Sequence, residues 1–327
     1  MIKKDISVVF YQDWMFDKVN DLFVAEYGFD PCQQREFFRR FYEAPFQKFQ
    51  GIRLVALDGD IVCGFQSYFF WPYHYQGLEL RTFQSGSSLV SPIYRGRQIF
   101  AKLLSFLDEV EPENRPKIDF LMGFPVKMSY GSFMRNNWAN PNDLVWYARP
   151  MHPLSVITAN RPNAKDWGFD IECDQFPFFY PIDQFTLSKE SGFKNWRMDA
   201  QKISSKYLYF HHHHNGGTIR FDLKPNRRSR INELVIGDIV RSSPDPELFE
   251  SGLQSLIKAA KKHKFLTILT IAINELSSDK SISKIIGKNG FYQLNKRIHF
   301  IVKTIDPYPP CLDASLWNIL RSDIDTW

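Results

Sequence analysis

Val90-Ser91-Pro92-Ile93-Tyr94-Arg95-Gly96-Arg97-Gln98-Ile99-Phe100-Ala101-Lys102-Leu103-Leu104 reads as the end of a β-strand, a basic turn containing a glycine, and the start of a helix with apolar residues at helical spacing. The first N–H groups of a helix have no partner inside it, and the helix dipole adds partial positive charge beside them. Gly96 permits close backbone approach, and Arg95 and Arg97 add full charges. Such a junction suits an anion, a phosphate above all. An ordinary strand-to-helix turn with solvated arginines has the same local pattern, so the surrounding sequence has to decide between them.

The next elements favour the phosphate. Phe120-Leu121-Met122-Gly123-Phe124-Pro125 reads as a strand running into a turn, and Ser129-Tyr130-Gly131-Ser132-Phe133-Met134-Arg135-Asn136-Asn137-Trp138 as a helix closing on an aromatic. Together the two segments resemble the Gcn5-related N-acetyltransferase (GNAT) superfamily. Its acetyl-coenzyme A motif has the core form R/Q-x-x-G-x-G/A, and its next strand and helix end in a Gly-aromatic pair. The resemblance implies an α/β (α+β) fold with a mixed, splayed central sheet flanked by helices, and a pantetheine arm lying in the splay. It implies further that the strand backbone at Leu89 and Val90 pairs with the pantetheine, while Arg95, Gly96, Arg97, Gln98, Ile99 and Phe100 cradle the pyrophosphate. The implied chemistry is direct acyl transfer, in which an amine attacks the thioester and a proton donor meets the leaving thiolate.

Three positions depart from the pattern. Gln98 and Phe100 stand where the core motif has Gly and Gly or Ala, and Phe133 stands where many relatives carry a thiolate-protonating tyrosine. Tyr130, about one helical turn earlier, is the nearest phenol and the candidate donor; its alternative is a packed ring with a solvated hydroxyl. Glu79, just before the cofactor strand, is the candidate acid or base of the acceptor side, with His74 nearby; its alternative is an exposed hairpin carboxylate. Ser85 and Ser87 are candidates for orienting substrate or, alternatively, for satisfying a bulge near Gly86.

The chain has 327 residues, long enough for two domains, and a formal net charge of +5, which suits an anionic ligand without demanding nucleic acid. Aromatic residues make up 16%, fitting thick cores or a broad apolar cleft. Cys32, Cys63, Cys173 and Cys311 fit no metal-ligand spacing and read as free thiols of a reducing compartment. No apolar run approaches the roughly 18 residues of a membrane span, and the N-terminus lacks a signal-peptide pattern, so a cytoplasmic protein is expected. No metal site is assigned: His211 to His214 on a strand would present only alternate imidazoles to one face. The basic cluster from Lys224 to Arg230 reads as a solvated loop.

Asp58-Gly59-Asp60 and Asn215-Gly216-Gly217 are hairpin signals. From Asn232 onward the order strand, helix, strand, helix, Gly-aromatic, strand repeats that of the first half. Residues 1–150 are therefore expected to form a GNAT-like acyl-CoA-binding unit, 151–190 a linker packed between units, and 191–327 a degenerate second unit. The second unit's helix opens on Asp245-Pro246-Glu247, an acidic start that repels phosphate, so acetyl-CoA is assigned to the first half alone. The ending from Trp317 to Trp327 resembles two-unit GNAT proteins of surface-polysaccharide enzymes, which implies a sugar-linked acceptor. Asp323 and Asp325 there read as exposed tail carboxylates, with acceptor binding as the alternative.

The expected function is transfer of an acetyl group to a small-molecule amine, an amino sugar or nucleotide-linked sugar. Against it stand a non-catalytic binding or assembly protein that keeps the scaffold, and aminoacyl transfer from charged tRNA, which demands a more continuous basic surface.

Overall fold

The computed structural model describes residues 5–158, 162, 164–170, 179, 181–188, 190–200, 207–277, 279–305 and 309–324. In the first half, strand β1 (Ser7–Phe10) precedes helices α1 (Phe16–Tyr27), α2 (Pro31–Tyr42) and α3 (Pro45–Lys48). Strands β2 (Ile52–Asp58) and β3 (Ile61–Phe70) follow as a hairpin whose turn uses Gly59 at φ +62°. The strand expected from Leu78 to Val90 is broken at Arg81. Its first part, β5 (Leu78–Leu80), joins β4 (Tyr73–Tyr75), and β6 (Thr82–Val90) enters the main sheet. The break is fixed by Asp119, whose carboxylate accepts from the Arg81 N–H at 2.7 Å. Helix α4 (Ile99–Glu109), β7 (Phe120–Gly123), α5 (Lys127–Arg135) and β8 (Ala139–Pro150) complete this half.

The stretch expected to be a linker contains a short helix, α6 (Ser155–Thr158), and β9 (Thr186–Leu187), which adds to β4 and β5 in a small separate sheet. Cys173 and the segment from Phe176 to Phe178 lie outside the described residues. The second half runs α7 (Ser191–Ala200), β10 (Leu208–His214), β11 (Gly217–Arg228), β12 (Ile231–Arg241), α8 (Pro246–Ala260), β13 (Ile268–Ile273), α9 (Lys280–Lys288) and β14 (Tyr292–Lys303).

Both halves share one 11-stranded sheet in the order β1-β2-β3-β6-β7-β14-β8-β13-β12-β11-β10. The last strand of each half is exchanged: β14 pairs with β7 and β8 with β13, all antiparallel. Each half-sheet is thus completed by the other.

Packing follows from the patterning. Helix α4 buries Ile99, Leu103, Leu104 and Leu107 on one face, each contributing about 1.5–3 kcal/mol through removal from water. It sits close on β3 because Gly64 has no side chain; a Cβ there would meet Ile99 at 3.0 Å and Leu103 at 3.2 Å. The opposite sheet face carries an aromatic core in which Trp317, fully buried, stacks on Phe185 at 4.5 Å and meets Phe300, Phe120 and Tyr73 edge-on. The ending that reads as a tail is therefore structural. Asp323 is 2% exposed, not solvated, and its carboxylate accepts from the Leu320 N–H at 3.0 Å. Asp325 lies outside the described residues.

Two further expectations change. Lys224 to Arg228 belong to strand β11, not a loop, because the hairpin to β12 turns on Ser229 and Arg230 alone; Glu233 across the ladder takes Arg228 at 3.2 Å and Asn226 at 2.8 Å. The four histidines lie on β10, an edge strand. His212 bonds Ser251 at 2.8 Å, His213 bonds Thr218 at 2.9 Å and His211 meets Asp170 at 3.3 Å. Burial, with the neighbouring imidazoles, pushes His212 below the ordinary histidine range. Cys63 and Cys311 are buried thiols, each pushed up to about 11 by burial, and Cys32 is exposed; no disulfide joins the described cysteines.

Candidate functional site

Strands β6 and β7 run parallel from the pair Thr82 and Phe120 to the pair Ser85 and Gly123, then part. β7 ends at Gly123 while β6 continues to Val90. A bulge marks the parting: Ser67 pairs with Gly86 and Phe65 with Leu89, so Ser87 and Ser88 together oppose Gln66, and Ser87 takes φ +49°. Gln66, fully buried, donates to Ser85 Oγ at 3.0 Å and accepts from Ser88, while Ser67 Oγ donates to the Gly86 carbonyl at 2.8 Å. Beyond Ser85, the edge of β6 facing away from β3 pairs with no strand among the described residues. Leu89 and Val90 lie along that open edge.

The turn after Val90 continues the opening. Gly96 adopts φ +80°, and Gln98, which caps α4, adopts φ +60° with ψ 17° and makes no side-chain capping hydrogen bond. The position where the GNAT pattern has glycine is therefore left-handed here as well, and a glutamine occupies it. Among the described residues no oxygen accepts from the N–H groups of Ile99, Phe100 and Ala101. These donors line a cleft of about 530 Å³ whose far wall is Ser132 and Arg135 of α5 with Asn136 just after it. Free helix-start donors beside an open cleft form an anion site.

The two arginines of the turn do different things. Arg95 forms an ion pair with Glu26 on α1 and donates to the Val90 carbonyl at 3.3 Å, tying α1 to the turn. Arg97 lies 4.9 Å over the Tyr94 ring. Tyr94 in turn donates to Asp58 at 3.0 Å, and burial with that carboxylate pushes its phenol above the ordinary value, keeping it a donor. Arg135, exposed and 3.3 Å from Ser132 Oγ, lines the cleft together with Arg95, whereas Arg97 is not among the lining residues.

Phe133 is 4% exposed and meets Trp138 at 5.0 Å and Phe100 at 5.5 Å, so the position where many GNAT proteins carry a tyrosine is here part of the core. Phe100, the other bulky departure, closes that aromatic contact while also lining the cleft. Tyr130 is half-buried. Its hydroxyl accepts from Asn140 Nδ2 at 3.1 Å, and its ring lies on His299 at 4.3 Å. The ring is thus packed, and the hydroxyl keeps its own O–H to donate.

Glu79 is not brought to this opening. It stands on β5 directly across from His74, 3.8 Å away, beside the start of β6, while the strands part beyond Ser85. Burial and the neighbouring Glu190 raise its carboxyl above the ordinary range. His74, Glu79 and Glu190 have their ligand-type atoms within 4.8 Å of one another; no metal was assigned from the sequence.

The second half repeats the parting of strands and then closes it. Parallel pairing of β12 with β13 stops at Ile236 and Ile271, and Leu320 of the C-terminal segment bridges Ile273 just beyond. Asn318, Leu320 and Asp323 line what remains with Asp238 and Arg241, leaving about 30 Å³, room for about one water. Asp245 caps α8 and accepts from Glu247 N–H at 2.9 Å. A carboxylate and the chain's own segment thus take the places that donors and open space hold in the first half.

No protein-family model matches the chain, and no curated protein matches its sequence. Solved structures do. A conserved protein of unknown function from Enterococcus faecalis V583, described as a probable N-acyltransferase, superposes with a TM-score of 0.58 at 8% identity, covering 92% of this chain and 73% of that one. A GCN5-related N-acetyltransferase from Kribbella flavida superposes with a TM-score of 0.56 at 12% identity, covering 93% and 72%. The fold is that of the GNAT acetyltransferases. Eis1 from Mycobacterium abscessus gives a TM-score of 0.55 at 11% identity, covering 92% and 74%, so the likeness extends over both halves of the GNAT-fold chain. As for membranes, no described helix is long and apolar enough to cross one.

Proposed function

We propose that this chain is an acyl-CoA-dependent N-acyltransferase that uses acetyl-CoA in its first half and passes the acetyl group to the amine of a small acceptor, an amino sugar or nucleotide-linked amino sugar. The observation that carries the reading is the set of free N–H donors at Ile99, Phe100 and Ala101 opening onto the 530 Å³ cleft beside the parted strands. The pyrophosphate would sit on those donors with Arg97 and Arg135 as counter-charges, and the pantetheine would run along Leu89 and Val90. The bulge at Ser87 lies where the strands part, and backbone N–H donors there would polarise the thioester carbonyl.

Transfer forms a C–N bond and breaks the C–S bond; the amine sheds a proton to solvent and the sulfur gains one from Tyr130. The C-terminal segment in the second parting supports one coenzyme site per chain. The test is calorimetric titration with coenzyme A and acetyl-CoA, followed by an amine panel led by amino sugars. Arg97→Ala and Arg135→Ala should each weaken binding about three- to tenfold, as expected for loss of a charged phosphate contact. Absence of binding leaves the non-catalytic reading, which the glutamine at Gln98 and the core role of Phe133 favour.

A further inference from the structure

His299 stands where two facts about the fold meet. The last register pair of β7 with β14 joins Gly123 to Ile301, so His299 lies just beyond the end of β7, on the wall of the opening opposite β6. It also belongs to β14, the strand that the C-terminal half contributes.

Its surroundings define a directed chain of hydrogen bonds. His299 Nδ1 lies 3.1 Å from Asp143 Oδ1, and a carboxylate only accepts, so Nδ1 carries the proton. Asn140 Nδ2 donates to the same carboxylate oxygen at 2.9 Å, which fixes the amide orientation, and donates again to Tyr130 Oη at 3.1 Å. Because the Tyr130 oxygen accepts in that bond, its own O–H must point to another acceptor. The imidazole lies against the phenol ring at 4.3 Å with 32° between planes, which holds the ring in place.

We propose that His299 is a positioning residue for Tyr130: through Asp143 and Asn140 it commits the Tyr130 hydroxyl to donating into the opening, so that the C-terminal half completes the proton-donor apparatus of the first. This rests on the acyl-transfer reading. As the C–S bond breaks, its electron pair stays on sulfur, the Tyr130 proton passes to that sulfur, and the phenolate recovers a proton from water.

The test needs no acceptor. Coenzyme A and desulfo-coenzyme A, which lacks only the thiol, are titrated calorimetrically at about pH 9, where an appreciable fraction of this simple alkyl thiol is ionised. A hydrogen bond to the thiolate should make coenzyme A bind about tenfold more tightly. Tyr130→Phe and His299→Ala should reduce that ratio to below about twofold while leaving the affinity for desulfo-coenzyme A unchanged, and His299→Asn, which keeps a donor near Nδ1, should restore it. Asp143→Leu, close in size but without an acceptor, serves the same purpose should His299→Ala not fold. A full ratio retained in His299→Ala or Asp143→Leu overturns the proposal, as does an equal fall in affinity for both ligands, which marks a merely structural role. If neither ligand binds the unaltered protein, the acyl-CoA reading fails, and this one with it.

Discussion

Replacing Gln98 by glycine tests the turn on which the cofactor assignment depends. Gln98 sits at φ +60° and ψ 17°, is exposed, and caps α4 without a side-chain hydrogen bond, so the substitution removes no contact that holds the fold. A non-glycine residue in the left-handed region costs about 1–2 kcal/mol. Glycine gives back about 0.4–1 kcal/mol through the greater freedom of the unfolded chain. The difference predicts that Gln98→Gly stabilises the protein by about 0.5–1 kcal/mol, a rise of about 1–2 °C in Tm. Urea unfolding gives the free energy and thermal unfolding the Tm. Because Gln98 also lines the cleft, the same variant should bind coenzyme A more tightly. Destabilisation by about 1 kcal/mol would instead mean that the turn is not left-handed at this residue in solution.

Other expectations follow from the packing and the charges. Trp317→Ala should cost about 3–5 kcal/mol in urea unfolding, because it empties the aromatic contact among Phe185, Phe300, Phe120 and Tyr73; a loss under about 1 kcal/mol would mean that the ending is not docked. Glu79 has a folded-state carboxyl raised above its unfolded value of 4.5, so it binds more protons folded than unfolded and its contribution to stability falls as pH rises above that value. Glu79→Gln should therefore flatten this fall in a pH series of urea midpoints, and an unchanged or steeper fall would contradict the raised carboxyl.

Much of the fold is legible because local signals agree. Asp58-Gly59 and Asn215-Gly216 mark hairpins that form with Gly59, Asn215 and Gly216 at positive φ, and the apolar spacing of α4 and α8 matches their buried faces. The Arg-Gly-Arg turn and the strand and helix after Phe120 carry the resemblance that the solved structures bear out as a shared fold. What sequence could not show is long-range. The exchange of β8 and β14 depends on register between halves, and no local pattern announces it. His299 reads as one polar residue on a strand; only its pairing across the sheet with Asp143 and its stacking on Tyr130 give it a role. Asp323 looks like a solvated tail group because composition says nothing of the vacant second parting that Leu320 enters. Arg135 was visible on the helix of the second motif, at a spacing from Ser132 that places both on one face, and could have been assigned from that.

We propose that the first-half cleft, and only that cleft, holds coenzyme A. Calorimetric titration of the whole chain with coenzyme A, beside the Arg97→Ala/Arg135→Ala double variant, tests it most directly. One site per chain is expected in the unaltered protein, with affinity reduced at least about tenfold in the double variant. Two sites per chain, no binding, or binding indifferent to both arginines would contradict it.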